Sequence, residues 1–181
     1  MTQNPHSFID NAQLAIDVLA DPKWLGELPH VEALVRECVT ETLLHTCAGL
    51  IKNHEVEVTV SLSDDARVKE LNAEYRAKDK PTNVLSFANY QGLNWPSTTS
   101  FSDDMPILMG DIILAYGVVT KEAIEQNKKF EAHLSHLIVH GCLHLLGYDH
   151  LTDEDAATME DLETKILFGL GIKNPYHVEI E

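Results

Sequence analysis

Positive charge is what this 181-residue sequence has least of: 13 lysines and arginines stand against 29 aspartates and glutamates, a formal net charge of −16 at pH 7. Phosphate contacts need clustered basic side chains, so the total, taken alone, argues against a broad nucleic-acid binder. Cysteine is scarce too. Cys38, Cys47 and Cys142 are odd in number, scattered and without a paired metal spacing. They fit reduced, packed thiols of a cytoplasmic protein rather than a disulfide framework. No apolar run approaches the roughly 20 residues that span a bilayer, which excludes a membrane-spanning helix. The start, Met1 to His6, has no lysine or arginine and no apolar segment after it, so no signal peptide is expected.

What is present is an ordinary globular composition. Apolar residues make up 44%, and the length suits one domain, 1–181, with a core of its own. The charge is unevenly spread. Five basic residues (Arg67, Lys69, Arg76, Lys78, Lys80) fall within residues 67–80, whereas residues 151–181 carry eight carboxylates against two lysines. A solvated basic helix and a solubilising acidic tail account for both, so charge leaves the question of partners open.

Periodicity predicts a first strand near Gln13 to Val18, a loop marked by Pro22, Gly26 and Pro29, and a helix from Val31 to Cys47 with Leu34, Val35, Cys38, Val39, Thr42 and Leu43 on one stripe. Val56, Val58, Val60 and Leu62 alternate with polar residues and predict a strand over 55–62. Ser63-Asp64-Asp65 supplies N-cap chemistry for a helix to about Ala77. After Pro81, Asn83 to Phe87 reads as a short strand, residues 89–105 as a long loop and Ile107 to Tyr116 as a strand pairing with the one before the loop. Loops of that length are usually functional or disordered. In it Trp95 is a candidate for stacking on a base or for anchoring the loop. Helices are expected at 118–127, 130–146 and 153–169, the last opened by Thr152-x-x-Asp155 with Met159, Leu162, Ile166 and Leu170 as its stripe. The expected fold is α+β: a small mixed sheet of about four strands packed by helices, with a C-terminal helical part.

That C-terminal part contains the densest chemistry, with histidines at 133, 136, 140, 144 and 150. His140 and His144 are four apart and share a helix face. Gly147 suits a helix C-terminus that turns the chain back, and His150 then arrives from beyond the turn. Three imidazoles leave a fourth tetrahedral position for water, the mark of a catalytic zinc site. Nickel, copper or cobalt bind such a cluster in vitro. His133 and His136 lie near the same stripe, so periodicity alone does not select the three ligands; the tripod geometry favours His140, His144 and His150. Asp149 is either an acceptor for an imidazole N–H or an acidic turn residue. In zinc metalloproteases a glutamate follows the first histidine as general base. Here that residue is Gly141, which argues against proteolysis.

A second constellation, Leu71 to Phe87, contains Arg76, a residue that forks onto phosphate or carboxylate. Taken together, N-x-x-Y-R-x-K-D-x-P-T-N-V-L-S-F (Asn72 to Phe87), G-D-I-I-L (Gly110 to Leu114) and H-G-x-L-H-L-x-G-Y-D-H (His140 to His150) closely resemble the YbeY family of bacterial endoribonucleases, also known as rRNA maturation factors. The resemblance runs from about residue 54 to 170. It departs at Asn83, where many members have Asp, and at Ala88, where Pro is common. It implies one Zn²⁺ per chain held by His140, His144 and His150, with Arg76 as the basic residue of the cleft. The implied activity is zinc-dependent cleavage of single-stranded RNA in 16S rRNA 3′-end maturation and ribosome quality control. The implied partners are the small ribosomal subunit and its assembly factors. A ribosome-assembly factor that mainly binds, with a structural zinc, is the alternative. The proton acceptor stays open among zinc hydroxide, the RNA 2′-hydroxyl and His136.

Overall fold

The computed structural model describes residues 13–90 and 105–176. The strongest alternation in the sequence becomes β2 (Val56–Ser63), with Val56, Val58, Val60 and Leu62 buried and the residues between them half-buried. Each of those four side chains contributes about 1.5–3 kcal/mol by leaving water. β1 (Leu14–Ala20) runs parallel to β2 on one side and β4 (Ile107–Ala115) parallel on the other. β3 (Val84–Ala88) closes the sheet antiparallel to β4, giving the order β1-β2-β4-β3. This is the small mixed sheet that the periodicity predicts, including the pairing of the strands that flank the long loop.

Two helices lie on one face of the sheet, α2 (Val31–Asn53) and α5 (Phe130–Leu145), and α6 (Asp153–Gly169) packs against both. Their apolar side chains and the inward residues of β1, β2 and β4 form one core. A smaller cluster (Val68, Leu71, Leu85, Ala115) joins α3 (Asp65–Arg76) to β3 and β4. Asp64 caps α3 by accepting the Arg67 N–H at 2.8 Å. Asp65 instead accepts Gly117 and Val118 N–H groups at 2.8 and 3.2 Å, capping α4 (Tyr116–Glu125) from another element.

Two expectations fail at the N-terminal side. The predicted loop around Pro22 contains α1 (Pro22–Glu27), because Pro22 sits in the first turn, where a proline costs nothing. Trp24 anchors that turn, fully buried, with its indole N–H on the Ser63 carbonyl at 3.0 Å. α2 likewise runs past Cys47 to Asn53. Cys47 departs from helical geometry (φ −143°, ψ 39°), and the chain resumes a helical path that buries Leu50 and Ile51. The periodicity breaks at the kink although the helix does not end there. Cys38 and Cys142 are buried and Cys47 half-buried, all three as free thiols. Burial pushes the Cys38 thiol up to about 12 and Cys47 to about 11, so neither is a reactive thiolate.

Candidate metal centre

α5 is driven into the core from nearly every side. From residue 133 to 145, the positions not fully buried are 136, 140 and 144, and all three are histidines. Leu134, Leu137, Ile138 and Leu143 account for the burial; the stripe that remains, repeating every four residues, is imidazole.

The end of the helix completes the arrangement. Gly147 takes a left-handed conformation (φ 88°). Its N–H reaches the His144 carbonyl at 3.0 Å, and the Tyr148 N–H reaches Leu143 at 3.1 Å, the two bonds of a Schellman turn. The same turn orients a side chain, since the Tyr148 carbonyl accepts His144 Nδ1–H at 2.9 Å. Two residues on, His150 has come back toward α5, its ring 5.9 Å from that of His140 and 5.2 Å from that of His144. One ring nitrogen from each of the three histidines lies within 4.8 Å of the others.

With Nδ1 of His140 on Glu163 Oε1 at 2.6 Å and Nδ1 of His144 on Tyr148, both Nε2 atoms present lone pairs, and these face each other at 3.0 Å. Facing lone pairs repel unless a cation lies between them. Nitrogens bound at 2.0–2.1 Å around a tetrahedral metal sit about 3.3 Å apart, close to the spacing here. Burial, reinforced by His140 and His150 against the pull of the Tyr148 carbonyl, pushes His144 down to about 4. Its imidazole is therefore neutral at pH 7, with a lone pair to give. The donor set fits a divalent transition metal.

The other two histidines of α5 go elsewhere. His133 is buried, and its Nε2 bonds Glu122 Oε2 at 2.9 Å. Glu122 also accepts the Asn83 amide at 3.0 and 3.2 Å. That donation gives a reason for Asn at 83 in this chain, since an Asp there would set two carboxylates together. His136 stands behind His140, with Nε2 at 3.1 Å from Glu163 Oε2 and 3.2 Å from the Tyr176 hydroxyl. It is not among the cleft-lining residues. Asp149 accepts the His150 backbone N–H at 2.8 Å and lies 3.4 Å from its Nδ1, so it serves both the turn and the imidazole.

Arg76 reaches the same place from α3. The helix ends on Ala77 in left-handed conformation (φ 53°), and buried Asn72 pins the turn: its amide donates to the Lys80 carbonyl at 2.7 Å while its own carbonyl accepts from Ala77 and Lys78. Arg67 and Lys69 are engaged by Glu70 and Asp79 at 3.1 and 3.6 Å. Among the described residues no carboxylate pairs with Arg76. It lines a cleft of about 430 Å³ with His140, His144, His150 and Asp149, floored by Val84 and Ser86 of β3. A wider depression of about 640 Å³ past the ends of β1 and β2, around Leu19, Asp21, Glu32 and Arg67, contains no imidazole or thiol. The imidazoles and Arg76 line the smaller one.

Gly141 explains how α5 comes so close. A Cβ there would stand 2.9 Å from Ile112 Cγ2 and 3.1 Å from Ser86 Oγ, whose hydroxyl donates to the Gly141 carbonyl at 3.1 Å. The position that holds a glutamate in metalloproteases is here a contact between helix and sheet. Gly141→Ala gains up to about 1 kcal/mol of helix propensity and loses about 1–3 kcal/mol to overpacking. We expect a lower urea midpoint with an unchanged slope; a raised midpoint would refute the packing argument.

Two residues of the centre escape sequence reasoning. Glu163 is fully buried, and Tyr176 donates its hydroxyl to Glu163 Oε2. The available signal was Glu163's place between Met159 and Ile166, inside the apolar stripe of α6. Burial raises the Glu163 pKa, but hydrogen bonds from His136 and His140 overcome it and hold the carboxyl below its ordinary range. Trp95 and most of the 89–105 loop lie outside the described residues.

Comparison with known proteins agrees with these features. The family model described as Endoribonuclease YbeY matches residues 27–171. A protein of that name from Nitrobacter hamburgensis is 46% identical over 161 residues, covering 82% of this chain and 83% of its own. Those from Paramagnetospirillum magneticum and Rhizorhabdus wittichii are 43% and 46% identical over 164 and 167 residues, each covering 91% of this chain and 95% and 98% of their own. A match of this extent, over both the arginine motif and the histidine motif, shows that the chain belongs to the YbeY endoribonuclease family.

Proposed function

We propose that this chain is a zinc-dependent endoribonuclease specific for single strands, acting in 16S rRNA 3′-end maturation and in ribosome quality control. The observation that carries the reading is the convergence on one open cleft of three imidazoles and an arginine that has no carboxylate partner among the described residues. His140, His144 and His150 are the ligands of one Zn²⁺ per chain. Bound there, zinc would supply Lewis acidity toward a phosphoryl oxygen and lower the pKa of its bound water toward ~7. Arg76 grips the scissile phosphate through its fork and stabilises the charge that develops on it. Single strands, unlike duplexes, can enter such a cleft with their bases splayed. Lys78 and Lys80 extend the basic guide beyond Arg76 despite the acidic total.

The proposed setting is the cytoplasm, with the small ribosomal subunit and its assembly factors as partners. No described helix is long and apolar enough to cross a membrane. A purely structural zinc fits less well. Structural sites are closed by four protein ligands, whereas here the His150 side chain is 57% exposed and no fourth donor joins the three among the described residues.

The test is cleavage of one RNA sequence in single-stranded and duplex form. We expect cleavage of the single strand alone, abolished by chelation and restored by zinc. Equal cleavage of the duplex, or activity indifferent to the chelator, would overturn the proposal.

A further inference from the structure

We propose that Glu163 is a positioning residue for the metal centre: its carboxylate fixes His140 in the tautomer that offers Nε2 to a cation in the cleft, and His136 and Tyr176 hold that carboxylate in place. The inference rests on the reading of His140 as a ligand.

The case begins with a cost. Glu163 has no exposed surface, and burying a carboxylate costs several kcal/mol unless it is paired. Among the described residues its hydrogen-bond partners are His140, His136 and Tyr176, with no lysine or arginine. The fold does not demand an acid there, since its neighbours on the α6 stripe are Met159, Ile166 and Leu167. What the acid does is specific. Oε1 takes His140 Nδ1 at 2.6 Å, in the range of charge-assisted bonds. That bond places the proton on Nδ1, directs Nε2 toward His144 and His150, and raises its basicity. A cation on Nε2 completes a carboxylate–imidazole–metal chain, in which the buried negative charge finds its counterpart one ring away.

Oε2 is held from two sides, by His136 Nε2 at 3.1 Å and by the Tyr176 hydroxyl. Tyr176 gets there because α6 ends in a second Schellman turn at Gly171 (φ 76°), and Asn174 Oδ1 then accepts the Tyr176 N–H at 2.9 Å. The segment after α6 is thus a third component of the centre, supporting a carboxylate that supports a ligand. The three groups His136, His140 and Glu163 have metal-binding spacing themselves, and the 2.6 Å bond accounts for it without a second ion.

The test measures zinc affinity of the full chain by competition with a chromophoric chelator, with the visible spectrum of the cobalt-loaded protein as second readout. Glu163→Gln keeps shape and removes charge. We expect its zinc affinity to fall about 10–100-fold and its cobalt bands to shift. Its metal-free form should melt within a few degrees of wild type, because the amide keeps the shape and its oxygen still accepts from His140 Nδ1–H. Tyr176→Phe, which deletes one hydroxyl from a half-exposed ring, should weaken zinc by a smaller factor. A merely structural Glu163 would give the opposite pattern, a lowered melting temperature with affinity within twofold of wild type, and that result overturns the inference. Wild type that binds no zinc overturns it too. Tight zinc in wild type, weakened in Glu163→Gln, with no RNA cleavage by either, upholds it and removes the nuclease reading instead.

Discussion

His144→Ala will lose its metal and its RNA cleavage together while remaining folded. Structural zinc sites are worth about 10–16 kcal/mol over four ligands, so one ligand removed from three lowers affinity by at least about 10²–10³-fold. His144 is the most consequential of the three, because its neutral imidazole lies 3.0 Å from His140 and belongs to the turn that returns His150. Cleavage should fall by at least about 10³-fold, since both the Lewis acid and the acidified water go with the ion. The fold should survive. The variant loses one hydrogen bond from a half-buried side chain, worth about 1 kcal/mol, so the metal-free form should melt within a few degrees of metal-free wild type. Metal content by elemental analysis, cleavage of a single-stranded RNA and a melting curve decide the matter. One zinc per chain in the variant, or cleavage within tenfold of wild type, would remove His144 from the centre.

Arg76→Ala should separate chemistry from metal. It removes the cleft-lining arginine, which pairs with no carboxylate among the described residues, and leaves the three candidate ligands in place. A donor aimed at developing charge is worth about 2.7–4 kcal/mol, so kcat should fall about 10²–10³-fold with one zinc still bound. Arg76→Lys should recover only part of that, because an ammonium presents a point charge where the guanidinium presents a fork. Nor should removing this exposed side chain disturb the fold, as the turn after it is held by Asn72. A kcat/KM within threefold of wild type for Arg76→Ala would show that the phosphate is gripped elsewhere.

Much of this centre was legible before any coordinates. Whatever depends on spacing along one helix came through: His140 above His144, the glycine that ends α5, the return of His150 and the N-cap at Thr152. The alternation of β2 and the pairing of β3 with β4 were equally local signals. What escaped depends on who meets whom. Glu163 sits in a helix that also carries Asp153, Glu154, Asp155, Glu160 and Asp161, and among so many acids its place on the apolar stripe shows that it is buried but not which imidazole it meets. Asn83, Glu122 and His133 meet only because β3, α4 and α5 converge, so His133 looked like a spare ligand. α1 was missed because Pro22 reads as a loop marker until Trp24 is seen to be buried.

The sheet order has a consequence for timing. β4 lies between β2 and β3, yet it follows both in the chain, so the parallel β2–β4 pair closes only after a long intervening segment has been made. Non-local closures of this kind are slow beside the formation of helices and their turns. The three imidazoles are local, one helix with its Schellman turn, whereas Glu163 and Tyr176 join them from α6 and the segment after it. Arg76, at the end of α3, reaches them only across β3 and β4. The cleft as a whole, imidazoles and arginine together, is therefore expected to be complete only once the sheet has closed.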